Sequence, residues 1–209
     1  NVDHKQYYPQ TGWVEHDAEE IYTNMVEAIR KLMENVDLHY SLIPHTFSLA
    51  LTNQRETAVV WNKLTGKPIA NAVVWQDTRG AELCRTLRSS GIAKMVFEKS
   101  GLLIDPNFSA TGVKWLLDNI EGARDAANRG ELLMGTIETW LIWKLTGGKT
   151  FATDYTNASR TMLFNIHTMQ WDDELLALFD IPRSMMPDVL PCDAIYGETT
   201  IEGIFAKPI

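Results

Sequence analysis

The sequence LTNQRETAVVWNKLTGKPIANAVVWQDTR, residues 51–79, decides how the chain is organised. It contains two short apolar runs, residues 58–61 and 72–75, with a turn-rich segment containing Gly66 and Pro68 between them. Apolar runs separated by turn residues predict two paired strands. The polar clusters NQRE and QDTR then lie on loops at the strand ends, where a rigid sheet commonly holds binding groups.

These two polar clusters carry the candidate binding groups. Arg55 beside Glu56 offers hydrogen-bond donors and acceptors at one point, and Trp75 adds a flat apolar wall. Charged groups bind hydroxyls and an indole packs on C–H edges, so the set suits a neutral, hydroxyl-rich small molecule. A surface ion pair and a core tryptophan would look the same in the sequence, and the chemistry of the residues alone favours that simpler interpretation.

Length and charge bound the classes of function. The chain has 209 residues, 45% hydrophobic and 22% charged, which is an ordinary globular balance. Its net charge of −8 argues against nucleic acid or an anionic membrane surface as the main partner. No apolar run reaches membrane-spanning length and no signal peptide is visible. Cys84 and Cys192 lie far apart without zinc-site spacing, which fits a cytoplasmic protein.

Helical and strand patterns alternate along the chain, which predicts the α/β class. The first helix is expected after Asp17, with Glu20 completing a capping box. Its expected buried stripe is Ile21, Met25, Ile29, Leu32 and Val36. Strands are expected at 46–51 and 132–134. The other helices are expected at 78–88 and 92–99, from Ser109, from Thr136 to Gly147, and at 172–179. Within the helix that Ser109 is expected to cap, Gly112 costs up to about 1 kcal/mol against alanine.

Familiar catalytic motifs are absent from the sequence. It has no Gly-rich phosphate loop and no G-x-S-x-G elbow, and no metal site is expected. Its five histidines are scattered and are interpreted as structural or surface residues. The pair Asp172-Asp173 is interpreted as a helix N-terminus. Asp154, within TDYTNASR, stays open between a turn-capping residue and a site residue.

Several longer motifs give the chain a specific resemblance. They are GWVEHDAEEIY at 12–22, TNQRET at 52–57, WQDTR at 75–79, RGELLMGT at 129–136, GTIETWLIWKLT at 135–146 and TDYTNASRTMLFNIHTMQWD at 153–172. On these motifs the chain resembles the FGGY family of carbohydrate kinases over nearly its whole length, in particular the members that phosphorylate glycerol.

The resemblance implies a ribonuclease-H-like domain of the actin-like ATPase superfamily. It further implies ATP-dependent phosphorylation of glycerol to glycerol 3-phosphate, with a small polyol bound mainly by a first domain and ATP with Mg²⁺ mainly by a second. Residues 1–209 would be part of the first, substrate-binding domain, incomplete at both ends. The catalytic residues and the ATP-binding domain would lie outside the chain, which alone would be inactive. The whole enzyme is expected to be a homo-oligomer, a dimer or a tetramer.

The same resemblance assigns substrate-binding roles to individual residues. Arg55 and Glu56 match the pair that hydrogen-bonds the glycerol hydroxyls, and Trp75 matches the indole that packs against the carbon backbone. The further side chains expected in or beside the cleft are Gln54, Gln76, Asp77 and Asp154, of which Asp154 is expected to serve the framework.

Two positions depart from the family pattern. Asn107 stands where the family places a tyrosine that contributes to glycerol binding, so the substrate-binding set here reads Arg55, Glu56, Trp75 and Asn107. Gly112 stands where the family usually has a lysine. Another polyol or a ketose therefore stays open as the substrate. A module that binds a polyol or a partner without catalysis is the alternative from a different class.

Overall fold

Helices and strands intermix along the chain. The structure, a computed structural model, describes residues 1–35 and 48–199. Within them the helices are α1 Ala18–Asn35, α2 Ala81–Ser89, α3 Ala93–Ser100, α4 Ser109–Asn119, α5 Ala123–Asn128, α6 Ile137–Leu145, α7 Tyr155–Ala158 and α8 Asp173–Leu178, with a 3₁₀ turn at Arg183–Met185. The strands are β1 Gln6–Tyr7, β2 Glu15–His16, β3 Ala58–Asn62, β4 Ala72–Val73, β5 Leu132–Thr136, β6 Ala152–Asp154, β7 Phe164–Asn165, β8 Gln170–Trp171 and β9 Asp188–Leu190.

The two apolar runs of the opening stretch form neighbouring strands, as predicted. They are β3 and β4, which pair antiparallel with Ala58 opposite Val73. The main sheet has the order β1-β2-β4-β3-β5, and all its pairings are antiparallel. The longest pairing joins β3 to β5, from Ala58 opposite Thr136 to Asn62 opposite Leu132. The loops that precede β3 and follow β4 therefore lie at the same end of the sheet.

Side chains of β3 alternate between two cores. Ala58 and Val60 belong to a large core shared with α4, while Val59 and Trp61 belong to a smaller core shared with α1 and α6. In the smaller core the indole of Trp61 packs edge-on against Trp140, with 5.3 Å between ring centroids. A sheet buried on both faces by helices is a layered α/β arrangement, so the predicted class is confirmed.

Local capping signals predicted two helix starts correctly, although Glu20 does not complete the expected capping box, since its Oε1 accepts from the backbone N–H of Lys5 at 3.0 Å. The Asp17 carboxylate accepts from the backbone N–H groups of Glu19 at 2.8 Å and Glu20 at 3.2 Å. Asp172 accepts from the N–H groups of Glu174 and Leu175 at 3.0 and 3.1 Å. These bonds satisfy amide groups that a helix leaves unpaired at its N-terminus.

The predicted cap by Ser109 is wrong. Phe108 occupies the N-cap position and makes no side-chain capping bond, while Ser109 is the first residue of α4. The Ser109 hydroxyl donates instead to the backbone carbonyl of Glu56 at 2.7 Å. A tertiary acceptor has replaced the local one, and this ties α4 to the loop before β3.

Two further expectations fail in part near the first gap in the description. Leu32, expected in the buried stripe of α1, is 60% exposed, because only the first half of the helix packs on the smaller core. Val36, and residues 46–47 of the expected strand, lie outside the described residues. Residues 48–51 form no strand, since none of the strands in the described part pairs with them. In residues 1–35 and 48–199, no helix is long and apolar enough to span a bilayer.

Candidate functional site

A buried hydroxyl joins the two polar clusters that the sequence analysis singled out. The Thr57 hydroxyl accepts from Nε2 of Gln54 at 2.8 Å and from the backbone N–H of Trp75 at 3.4 Å. Thr57 itself is fully buried, whereas the Trp75 indole is 42% exposed. The loop before β3 and the loop after β4 thus form one surface, and an indole stands open to solvent on it.

Glu56 has the most constrained geometry on this surface. Its backbone is left-handed, with φ of 67°, a region that residues other than glycine seldom adopt. Its carboxylate Oε1 accepts from Nε of Arg160 at 2.5 Å. Its carbonyl accepts from the Ser109 hydroxyl. The Arg160 guanidinium in turn lies over the Phe108 ring, 4.9 Å from its centroid.

A small cavity opens beside Glu56. The residues that line it are Glu56, Ala58, Val73, Val74, Pro106, Asn107, Phe108, Ser109 and Gly112. Both positions that depart from the family pattern, Asn107 and Gly112, therefore border the same space as Glu56. Gly112 is required by close packing here, because a Cβ at this position would lie 2.9 Å from Cγ1 of Val73. Asn107 is exposed where it borders this space.

Arg55 lines a different cavity from its neighbour Glu56. Its exposed side chain borders an open cleft between residues 48–55 and 192–196, together with Glu138 and Asp154. Arg55 and Glu56, although adjacent in the sequence, therefore line two different spaces. A ligand that contacts both side chains has to bridge them at the loop surface.

A buried carboxylate lies beneath this loop, and sequence reasoning missed it. Oε1 of Glu138 accepts from the hydroxyls of Thr136, Thr139 and Thr153 at 2.7, 2.9 and 2.6 Å, and Oε2 accepts from Nδ2 of Asn53 at 2.8 Å. Burial raises the pKa of Glu138, against the opposing effect of the hydroxyl bonds. The available signal was a single acid in the otherwise apolar run TIETWLIW, with threonines on both sides.

Asp154 serves the framework, and it also borders the Arg55 cleft. It caps α7 by accepting from the backbone N–H of Asn157 at 2.7 Å, and it accepts from the Thr156 hydroxyl at 2.8 Å. The Asn157 side chain accepts from Nδ2 of Asn53 at 3.0 Å. Asn53 is thus held from two directions, by Glu138 and by α7, so the loop that carries Arg55 and Glu56 has a fixed start.

Asp77, expected in or beside the cleft, lines neither cavity. Its carboxylate is 2% exposed and accepts from the backbone N–H of Val14 at 2.7 Å and from the Arg79 guanidinium. That guanidinium packs against the rings of Trp13 and Trp115, at 4.1 and 4.8 Å from their centroids, and the two rings contact each other edge-on. A guanidinium buried under two indoles needs a counterion, and Asp77 supplies it. Its neighbour Gln76 is exposed and lines neither cavity.

Comparison with known proteins places this chain in a family. The sequence of residues 1–207 matches the N-terminal domain of the FGGY family of carbohydrate kinases. The chain belongs to this family. The resemblance inferred from the motifs is therefore confirmed. Among the described residues, no three His, Cys, Asp or Glu side chains lie close enough together to hold a metal ion.

Similar sequences within the FGGY family are glycerol kinases. The chain is 52% identical over 204 residues to the glycerol kinase of Bacillus cytotoxicus and 54% identical over 198 residues to that of Shewanella pealeana. These alignments cover 98% and 95% of the chain but 40% of each relative. The chain thus spans about two fifths of the length of the curated relatives it matches.

Solved structures of FGGY kinases share the fold. Plasmodium falciparum glycerol kinase, solved with ADP, superimposes with a TM-score of 0.87 at 33% identity, over 100% of this chain and 42% of that one. Gluconate kinase from Lactobacillus acidophilus superimposes with a TM-score of 0.85 at 21% identity, over 99% and 40% of the two chains, and shows the fold alone. The predicted ribonuclease-H-like, actin-like fold is confirmed by these matches.

Proposed function

We propose that this chain is the polyol-binding part of a kinase that phosphorylates glycerol with ATP, giving glycerol 3-phosphate. The observation that carries the proposal is the geometry of Glu56. Its backbone is left-handed, its carboxylate is held by Arg160, and it lines a small cavity that Asn107 also lines. The relatives at 52–54% identity, all named glycerol kinases, support the choice of substrate. Residues 1–209 would belong to the N-terminal, substrate-binding domain of that enzyme.

Four side chains would hold the polyol. Oε1 of Glu56 is engaged by Arg160, whereas Oε2 receives no hydrogen bond from the described residues and can accept one from a substrate hydroxyl. Arg55 would donate to a second hydroxyl from the other side of the loop. The exposed indole of Trp75 would cover the carbon backbone, and the Asn107 amide would contact the hydroxyl nearest the cavity.

The contribution of these residues to phosphoryl transfer is positioning. Such transfers depend on alignment and charge neutralisation more than on covalent help from the protein. A site that hydrogen-bonds hydroxyls also rejects molecules lacking them, because its polar groups would be left unpaired. Loss of one bond to a charged group costs on the order of 1.5–3 kcal/mol, which is roughly tenfold to a hundredfold in kcat/KM.

ATP and Mg²⁺ would be bound mainly by parts of the enzyme other than these residues. The sequence has no Gly-rich phosphate loop, and the described residues hold no cluster of three metal-binding side chains. The described residues therefore do not fit the nucleotide and its metal ion. We propose that the whole enzyme acts in the cytoplasm as a homo-oligomer, a dimer or a tetramer.

Substitution of Glu56 tests the proposal. In the complete protein, Glu56→Gln is expected to lower kcat/KM for glycerol at least tenfold, and Arg55→Ala likewise. Arg129→Gln is a matched control, since Arg129 pairs with Glu131 at an exposed position and lines neither cavity. Wild-type kinetics in both site variants would overturn the assignment.

A second substrate class is favoured by one observation, the presence of Asn107 at the Glu56 cavity. An amide is shorter than a phenol and both donates and accepts, so it can admit a longer polyol or a ketose. The complete protein should be assayed with glycerol, erythritol, xylulose and ribulose. A higher kcat/KM for one of the larger substrates, reversed by Asn107→Tyr, would replace glycerol in the proposal. Binding of a polyol without any ATP-dependent product would support a non-catalytic module instead.

A further inference from the structure

The conformation of Glu56 requires an explanation that the substrate contacts alone do not provide. A left-handed backbone at a residue other than glycine is strained and persists only where the surroundings enforce it. Two groups distant in the sequence act on Glu56. Ser109 holds its carbonyl, and Arg160 holds its carboxylate.

Arg160 is itself held in place from two directions. Its guanidinium lies over the Phe108 ring, which fixes the plane of the donor group. Its neighbour Thr161 accepts, through the backbone carbonyl, from the N–H of Ala110 at 3.0 Å. Ala110 belongs to the first turn of α4, next to Ser109. Both groups that hold Glu56 are therefore attached to the same helix start.

The ion pair is only partly exposed, with 36% exposure for the Arg160 side chain and 14% for that of Glu56. Exposed ion pairs contribute little to stability, so stability alone is a weak reason for this arrangement. A role in positioning fits better, because Arg160 engages Oε1 of Glu56 while Oε2 receives no hydrogen bond from the described residues, and Glu56 lines the cavity. A displacement of about 1 Å in such a group can cost on the order of a hundredfold in rate.

We propose that Arg160 is a positioning residue for the polyol: stacked on Phe108, it holds the Glu56 carboxylate so that Oε2 is presented to a substrate hydroxyl. The inference rests on the proposed function, because it assumes that Glu56 binds the substrate. Arg160 itself does not touch the polyol. Its removal therefore acts on glycerol through Glu56 and leaves the nucleotide unaffected.

A double-mutant cycle on the complete protein tests this assignment. Arg160→Gln is expected to raise KM for glycerol at least tenfold, with KM for ATP unchanged. Because Arg160 acts through Glu56, Arg160→Gln should add less than twofold to KM for glycerol when Glu56→Gln is already present. Arg160→Lys, which keeps the charge and loses the planar stacking, should lie between wild type and Arg160→Gln. Arg129→Gln should match wild type throughout.

The outcomes separate this inference from the proposed function. If Glu56→Gln raises KM for glycerol while Arg160→Gln does not, the function stands and the positioning role fails. The role also fails if Arg160→Gln raises KM for glycerol by the same factor with and without Glu56→Gln. If Glu56→Gln has no effect, the proposed site itself is wrong. Should Arg160→Gln fold poorly, Phe108→Leu, which removes the ring beneath the guanidinium, is expected to raise KM for glycerol only when Glu56 is intact.

Discussion

The Arg79 guanidinium donates to both carboxylate oxygens of Asp77, from Nε to Oδ1 at 2.9 Å and from Nη2 to Oδ2 at 2.8 Å. Nη2 also donates to Glu15 of β2 at 2.7 Å. The pair thereby attaches the loop after β4 to the hairpin formed by β1 and β2. This loop carries Trp75, so the position of the exposed indole depends on a buried ion pair.

Removal of Asp77 should destabilise the fold strongly. The Arg79 side chain is 2% exposed, so Asp77→Ala would leave a buried charge without its bidentate partner, at a cost of about 3–5 kcal/mol. The free energy of unfolding from urea titrations measures the loss. At the exposed pair Lys94–Glu98, Glu98→Ala should leave the urea midpoint unchanged. An equally small effect of Asp77→Ala would show that Glu15 alone suffices.

Features that depend on neighbouring residues were predictable from the sequence. Asp17 and Asp172 cap helices whose amides lie two and three residues away, so a short window contains the whole interaction. The pairing of β3 with β4 follows similarly from two apolar runs and the turn between them. The pairing of β3 with β5 could not be predicted in this way, since its partners lie 70 to 78 residues apart.

Candidate site residues were identifiable by type, but their final partners were not. The Ser109 hydroxyl, free in principle to cap its own helix, donates to a carbonyl 53 residues away. The carboxylate of Asp77 could equally have bound a ligand, but it pairs instead with Arg79, which is buried against two indoles. Glu138 was visible as an acid among apolar residues with threonines beside it, yet two of its four donors, Thr153 and Asn53, are distant in the sequence and meet it only in the fold.

Glu138 should be essential for stability. Glu138→Ala would leave three buried hydroxyls and the Asn53 amide without their acceptor, so we expect a loss of at least about 3 kcal/mol in the free energy of unfolding. Glu138→Gln keeps one oxygen for the hydroxyls and turns an amide N–H₂ towards Nδ2 of Asn53, at a cost of about 1–3 kcal/mol. Urea titrations of both variants test whether Glu138→Ala loses more stability than Glu138→Gln. A Glu138→Gln protein as stable as wild type would contradict the contribution of the Asn53 bond to Oε2.

His16 should make the stability of the protein depend on acid pH. Burial, together with the neighbouring His4, lowers the pKa of His16 from 6.5 to about 4, although Glu20 acts in the opposite direction. Because the native state disfavours the charged ring, stability is fully present above about pH 6.5 and is lost as the pH falls towards 4. The loss should be on the order of 3 kcal/mol.

Urea titrations between pH 4 and 7 measure the contribution of His16. His16→Gln should flatten the decline across this window, since glutamine can still bond to Gln6 and does not titrate. His167→Gln, at an exposed histidine, should keep the wild-type dependence on pH. A decline in His16→Gln as steep as in wild type would assign the effect to other groups.

Gly112→Ala should destabilise the protein although alanine favours helices. The gain in helix propensity is about 1 kcal/mol, but the new Cβ would lie 2.9 Å from Cγ1 of Val73, and overpacking of this kind costs about 1–3 kcal/mol. Val73→Ala should relieve the clash. The double variant Val73→Ala/Gly112→Ala should therefore lose less free energy of unfolding than the two single variants lose in sum. Additive free energies of unfolding would contradict the contact.

Because α4 carries Ser109, displacement of the helix from the sheet by Gly112→Ala should also loosen Glu56. KM for glycerol should therefore rise in Gly112→Ala and recover in the double variant.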